Sequence, residues 1–431
     1  MANLYEYELI VGKDVINELE LYASKLSNVS VQHINSTAVG GGVAEILIRM
    51  VPLLKDLGIN AFWDVIKGGE KFYEVTKKMH NALHGQKVGF SQDEMDLFIQ
   101  TNEMNARDMD LRGDIMFIHD PQPIGLISRK KEIGHKWIWR CHIDFSRPDP
   151  FTWNFLKKYI EQYDVSIFSA PAFARELTIP QVLIAPSIDP LSDKNKDLPQ
   201  ETIDSVLEKF KIDKNRPIVT QISRFDYLKD PKGVVQVFRK VRKYIDCQLV
   251  LAGGGATDDP EGAKVLAEVQ EIAANDPDIF LLLLPPSSDI EINALQRASS
   301  VVLQKSLREG FGLTVAEALW KAKPVIASSV GGIPLQIANR YSGLLTHTIE
   351  GTAFALKQLL QNPTYGQQLG INGREHVRKN FLITRHLRDY MLLFLSLDHR
   401  GQDIVFLKGY EPTPSIKAVI ADDVDTVPLL E

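Results

Sequence analysis

Short β-branched runs alternate with amphipathic helical spacings along most of this chain, and that alternation most limits what it can fold into. Residues 29–34 read as a strand. Val43, Ile46, Leu47, Met50, Leu53 and Leu54 then recur at helical spacing within 41–57, and 60–66 is extended again. Further apolar runs fall at 115–118, 165–168, 181–185, 218–222, 248–252, 279–284, 301–304 and 324–327, with helical patterns between most of them. Such runs imply βαβ units and a mostly parallel sheet. They are too many for one comfortable sheet, and their number exceeds the eight of a closed barrel. A break is expected between 190 and 217, where Asp189-Pro190 and a charged run at 193–197 precede a polar helix. The expected fold is therefore α/β, with two doubly wound, Rossmann-like domains joined near residue 210 and facing a cleft. Ligands of such sheets sit beyond the carboxyl ends of the strands. The pattern predicts helices over 364–380 and 383–397, and a loosely held tail or surface strap over 409–431.

Charge and cysteine content narrow the function. The 431 residues include 49 Lys+Arg and 55 Asp+Glu, a formal net charge of −6. That balance disfavours bulk binding to nucleic acid or anionic membrane, while leaving room for local phosphate sites. Two cysteines, Cys141 and Cys247, are too few for a disulfide scaffold or a cysteine-only zinc site. The first residues lack the basic start and apolar stretch of a signal peptide. The longest strongly apolar run, 279–284, is far short of a membrane span. A cytoplasmic protein is expected.

The most informative segment follows the strand at 301–304. In Ser306-Leu307-Arg308-Glu309-Gly310-Phe311-Gly312-Leu313-Thr314-Val315-Ala316-Glu317, Gly310 and Gly312 permit a tight turn. Thr314 is expected to cap a helix carrying Glu317 in its first turn, aiming free N–H groups at an anion. Glu309 and Glu317 flank that site, which suits a ligand with hydroxyls on both sides of its phosphates, such as a nucleotide sugar. The strand at 218–222 leads into Arg224 and Lys229, a planar fork and a mobile point charge for phosphate. Lys232 is a weaker candidate. Gly40-Gly41-Gly42 precedes the first helix and lets a ligand approach the backbone. Gly253-Gly254-Gly255 reads as turn chemistry after a strand. His119, at a strand end, and the cluster Trp139, Arg140, His142 and Asp144 suit a sugar, or else a buried strand with a satisfied histidine. The Asp108/Asp110 and Asp423/Asp425 pairs fit solvated loops better than a metal site.

Together these segments resemble the retaining nucleotide-sugar glycosyltransferases of the two-Rossmann-domain (GT-B) kind, in the group of glycogen, sucrose and trehalose synthases. Glu309…Glu317 with Gly310-Phe311-Gly312 between carries the group-level likeness. His33 to Ala44, Asn81-Ala82-Leu83-His84-Gly85, His119-Asp120-Pro121-Gln122-Pro123, Trp139-Arg140-Cys141-His142-Ile143-Asp144 and Ser223-Arg224-Phe225-Asp226 bring it closest to the trehalose glycosyltransferring synthases. The resemblance implies glucose transfer from ADP- or UDP-glucose to free glucose, with no cofactor and no metal. Arg224 and Lys229 would hold the diphosphate, Glu309 the hexose hydroxyls and Glu317 the ribose. Gly310, Phe311, Gly312, Leu313 and Thr314 would line the donor, Gly42 would reach the leaving phosphate, and His119 would lie near the transferred sugar. Trp139, Arg140, His142 and Asp144 are the acceptor-side candidates. The domains implied are an acceptor-side domain over 1–210, a donor domain over 211–380, a helix over 381–408 crossing back to the first domain, and a tail over 409–431. One departure stands out: Lys229 is followed by Asp230-Pro231, where the family often has glycine. A different small acceptor, a phosphorylase, a non-catalytic nucleotide-sugar binder, and a homodimer all stay open on sequence alone.

Overall fold

The computed structural model describes residues 3–39, 42–254 and 260–397. Gly40, Gly41, Gly255, Asp423, Asp425, the 409–431 tail and the end of the expected crossing helix lie outside the described residues. Among the described residues, twelve strands make two six-stranded sheets. The first contains β1 (Ser30–Asn35), β2 (Asn60–Val65), β3 (Ile115–His119), β4 (Lys136–Arg140), β5 (Val165–Phe168) and β6 (Gln181–Leu183), in the order β2-β1-β3-β4-β5-β6. The second contains β7 (Ile218–Ile222), β8 (Gln248–Gly254), β9 (Ile279–Leu284), β10 (Val301–Gln304), β11 (Val325–Ser328) and β12 (Leu344–Thr346), in the order β12-β11-β10-β7-β8-β9. Every pairing within them is parallel. Each sheet reverses direction once, between β1 and β3 and between β7 and β10. Those two points are where doubly wound sheets open crevices for ligands.

Central strands are apolar because helices cover both faces. Every residue of β3, β7 and β10 is buried. Two strands escape the β-branched pattern. β4 reads Lys-Trp-Ile-Trp-Arg, a strand of aromatics and charges, with Trp137, Ile138, Trp139 and Arg140 all 0% exposed. β12 is only three residues long.

Two helices pack on the half opposite to their sequence position. Helix Ile383–Ser396 follows the second sheet in sequence, yet Leu387, Tyr390, Met391 and Phe394 share one core with Val31, Phe117 and Ile138 of the first. Burying four such side chains contributes roughly 6–12 kcal/mol before entropy, at about 1.5–3 kcal/mol each. That is comparable with the net stability of a whole domain, so the helix is integral to the first half. Arg385 anchors it further, pairing with Asp389 at 2.7 Å and donating to the Ala185 and Pro186 carbonyls. Conversely, helix Gln200–Lys209 precedes residue 210 but packs Ile203, Val206 and Leu207 against Ile218, Ile222 and Val250 of the second sheet. No helix of the described residues is long and apolar enough to cross a membrane.

Candidate active site

At the reversal point of the second sheet, β7 and β10 lie side by side and their following loops converge. Gln221 on β7, 1% exposed, joins them: its amide oxygen accepts from the Lys305 N–H at 3.0 Å and its amide nitrogen donates to the Lys229 carbonyl at 3.0 Å. The end of β8 is pressed against the same place. A side chain on Gly253 would begin 1.9 Å from the Ser223 carbonyl oxygen, so only glycine fits there. Gly253 therefore lies in the strand and makes a close approach rather than a turn. Gln221 does not stand out in the sequence and Gly253 reads there as a turn residue, because both roles depend on which strands become neighbours.

This convergence brings Lys229 and Glu309 together. Lys229 Nζ donates to Glu309 Oε2 at 2.6 Å, and Ser306 Oγ donates to the same oxygen at 3.0 Å. Both side chains are largely buried, 18% and 9% exposed. Arg224 is more open and reaches the edge of Asp226 at 3.5 Å. Lys232 points elsewhere, pairing with Glu268 and lying over the Tyr227 ring. The departure at Asp230 also resolves. Asp230 has φ +48, the left-handed conformation that glycine adopts most readily. Here the aspartate is compensated by its carboxylate, which accepts from the Gly233 N–H at 3.0 Å as the cap of helix Pro231–Arg242 and pairs with Lys305 at 3.0 Å.

The glycine turn after Glu309 forms as expected, but its helix begins differently. Gly312, at φ +82, is the residue before helix Leu313–Trp320. Thr314 does not cap it; its hydroxyl donates to Gln304 Oε1 at 3.1 Å. Glu317 sits in the second turn rather than the first, because the helix starts at Leu313. A second glycine pair, after β11, seats the turn. A side chain on Gly331 would begin 1.6 Å from the Glu309 carbonyl oxygen, and one on Gly332 would begin 2.8 Å from that of Gly310. Phe311 is 5% exposed and packs on Phe381. Glu317 is 3% exposed, and its Oε2 is buried without a hydrogen-bond partner among the described residues. Burial pushes its carboxyl up, opposed by Lys194 and Lys321. Burial likewise brings Lys321 down to about 7. Lys194 is held above its usual range, because Glu317 and Glu45 outweigh the cost of burying it. It pairs with Glu45, in the first turn of helix Gly42–Asp56, and lies 3.7 Å from Asp289 of the second half, so it links the two halves.

The first domain closes over this site. Gly42, at the start of helix Gly42–Asp56, faces Leu313: a side chain there would begin 3.5 Å from Leu313 Cδ1. Gly310 lies against the His142 carbonyl, with only 2.6 Å available for a Cβ. His119 ends β3 and is 1% exposed. Its Nε2 lies 3.0 Å from His33 Nδ1 and its Nδ1 lies 3.1 Å from His142 Nε2. Arg140 Nε donates to His142 Nδ1 at 3.5 Å. A guanidinium can only donate, so a neutral chain carries its proton on Nε2 of each imidazole. Burial holds all three histidines below their usual range, His33 at about 3. Trp139 forms no open platform: it packs on Phe145 and Phe168, and its indole N–H donates to the Asp120 carbonyl at 3.0 Å. Arg140 is equally buried, and Asp144 accepts from the Ser146 N–H at 2.9 Å. Of these four residues, His142 and Asp144 lie against the glycine turn through their backbones: a side chain on Gly310 would begin 2.6 Å from the His142 carbonyl oxygen and 3.7 Å from the Asp144 nitrogen.

Known proteins resemble this chain in sequence and in fold. Residues 33–175 match the family described as "Trehalose synthase, N-terminal domain", and residues 203–376 match "Glycosyl transferases group 1". Trehalose synthase of Thermococcus litoralis is 43% identical over 399 residues, covering 91% of this chain and 97% of that protein. Trehalose synthase of Rubrobacter xylanophilus is 43% identical over 407 residues, with the same coverage. Among solved structures, a trehalose-6-phosphate synthase superposes with a TM-score of 0.70 at 16% identity, covering 86% of this chain and 99% of that one. The Anabaena protein HepE, in complex with UDP and glucose, gives 0.66 at 14% identity, covering 86% and 100%. With two parallel sheets meeting at the β7–β10 loops and near-complete alignment to these synthases, the chain belongs to the trehalose synthase family of GT-B glycosyltransferases.

Proposed function

We propose that this protein transfers glucose from a nucleoside diphosphate glucose to free glucose with retention at the anomeric carbon, giving trehalose. The observation that carries this is the meeting of Lys229, Glu309 and the Gly310–Gly312 turn at the β7–β10 reversal, under the Gly42 and His142 edge of the first domain. Lys229 and Arg224 hold the diphosphate, Glu309 takes the hexose hydroxyls and Glu317 the ribose. HepE, of the same fold, binds UDP and glucose.

In the reaction, the bond between C1 and the β-phosphate oxygen breaks, and the electron pair leaves with the phosphate. Positive character grows on the sugar ring and negative charge on the diphosphate. Lys229, Arg224 and the amides after Glu309 stabilise that charge, the kind of electrostatic preorganisation that supplies much of catalysis. The acceptor's hydroxyl attacks C1 from the face the phosphate leaves, and a phosphate oxygen takes its proton. Glu309, already committed to Lys229 and Ser306, orients the sugar and forms no covalent intermediate. Closure of the domains keeps water from the donor.

Product analysis tests this. Purified protein with glucose, ADP-glucose or UDP-glucose, and EDTA should yield an α,α-linked disaccharide and one nucleoside diphosphate per disaccharide. Disaccharide made only with a sugar phosphate, or only from glucose 1-phosphate with release of inorganic phosphate, would overturn the proposed acceptor or donor.

A further inference from the structure

One buried group at the edge of this site has no part in the chemistry above. His84 caps the C-terminal end of helix Glu70–Leu83. It is 8% exposed, and its Nδ1 is buried without a hydrogen-bond partner among the described residues. The next residue, Gly85, takes φ +90 and lets Arg308 lie alongside, with Nη2 3.2 Å from where a side chain would start. Lys229 and Arg224 from the β7 loop and Arg308 from the β10 loop face His84. His80 lies one turn back in edge contact at 4.6 Å, with Arg224 and Asp226 facing it. The Arg147 carbonyl closes the side next to Gly85.

A helix C-terminus carries partial negative charge. In the empty cleft that end of helix Glu70–Leu83 complements the facing cations. A diphosphate among those cations would instead meet a negative wall. A positive charge on the capping residue removes the conflict, because it attracts both the helix end and the anion.

We propose that His84 is the first domain's hydrogen-bond donor to the diphosphate, and that it takes up a proton when a diphosphate ester binds. This rests on the nucleotide-sugar reading above. Burial, then Lys229, Arg308 and Arg224, hold the His84 imidazole at about 4 while the cleft is empty. A doubly charged anion cancels the field of those three cations and raises its proton affinity. Binding then tightens as pH falls through the range between the free and bound values, by at most tenfold per pH unit for one proton.

Isothermal titration of ADP-glucose and UDP-glucose without acceptor, in buffers of different ionisation enthalpy, measures this. The phosphates of these esters stay fully ionised over the range where histidine titrates, about pH 5 to 8, so the ligand contributes no proton change there. The expected result near pH 6 is uptake of about half to one proton per site. Near pH 8 uptake vanishes. His84→Gln should bind donor with no uptake and a flat pH dependence, and His84→Asn should repeat that result with a shorter side chain. Binding without uptake in the native protein, or uptake that survives in both variants, would overturn the assignment while leaving the nucleotide-sugar reading intact. Failure of both esters to bind would overturn that reading and this inference together.

Discussion

Replacing Lys229 by methionine separates two roles that this lysine combines. It is the counter-ion of a carboxylate that is 91% buried by side chain, and it is the proposed cation for the diphosphate. As a counter-ion, its loss leaves Glu309 charged with Ser306 and Gln304 as its remaining donors, at 3.0 and 3.5 Å. Breaking a fully buried pair from one side costs about 3–5 kcal/mol. Partial exposure of Lys229 and the surviving donors reduce that to roughly 2–3 kcal/mol, or about 5–10 °C in melting temperature. As a phosphate ligand, its loss removes about 2.7–4 kcal/mol of transition-state stabilisation, roughly a hundredfold to a thousandfold in kcat/KM. The double variant Lys229→Met with Glu309→Gln removes the stranded charge, so most of the lost melting temperature should return. Activity should not. Thermal unfolding and steady-state transfer from nucleoside diphosphate glucose, measured on the wild type, both single variants and the double, form a complete cycle. If the double variant regains activity along with stability, Lys229 serves only to neutralise Glu309, and its assignment to the diphosphate is wrong.

Three further outcomes follow from the same geometry. Arg224→Ala, whose side chain has only a weak contact with Asp226, should fold normally yet lose about 2–4 kcal/mol of transition-state stabilisation; near-normal turnover would remove it from the site. Gly331→Ala should abolish transfer, because the new Cβ must displace the Glu309 peptide, whereas Gly12→Ala, also at positive φ but open on all sides, should cost stability alone; assays and melting curves of the pair make the comparison. Burial pushes the Asp120 carboxyl up to about 7 from an ordinary 3.8, so between those values the folded chain holds a proton that the unfolded chain has lost. Its contribution to stability therefore falls as pH rises through that window and levels above it. Asp120→Asn keeps an acceptor for the His142 N–H and tolerates the left-handed backbone there, so it should melt higher than the wild type near pH 8, with the gap closing toward pH 4. An equal gap at both ends would show that ionisation is not the cause.

What the sequence made legible divides along the line between local and non-local causes. The central strands announce themselves because helices on both faces demand apolar residues at every position, as in β3, β7 and β10. The glycine turn between Glu309 and Glu317 is legible because its chemistry lies within one loop. Its seating on Gly331 and Gly332 is not, since that depends on β11 lying beside β10. β4 misleads for a related reason. A surface aromatic strip and a strand buried between helices carry the same residues, and only pairing with β3 and β5 sends Trp139 inward.

The first-domain side of the cleft shows the limit most sharply. His33, His119 and His142 stand far apart in sequence, and nothing in their flanks couples them. β1, β3 and β4 place them in a row only because the register sets His33 opposite Phe117 and His119 opposite Arg140. Once aligned, a single guanidinium that can only donate orders the protons of all three rings, and His33 Nε2 ends the row with no partner among the described residues. Both ring nitrogens of His119 are then committed to other imidazoles, so a sugar approaching it meets the residue through its carbon edge unless the row breaks. His33→Phe would keep the stacking on Phe117 while removing the acceptor of the His119 N–H, freeing that nitrogen. If His119 acts on the transferred sugar, that change should alter KM for the donor; if His119 only fills the sheet end, it should alter melting temperature and leave KM untouched.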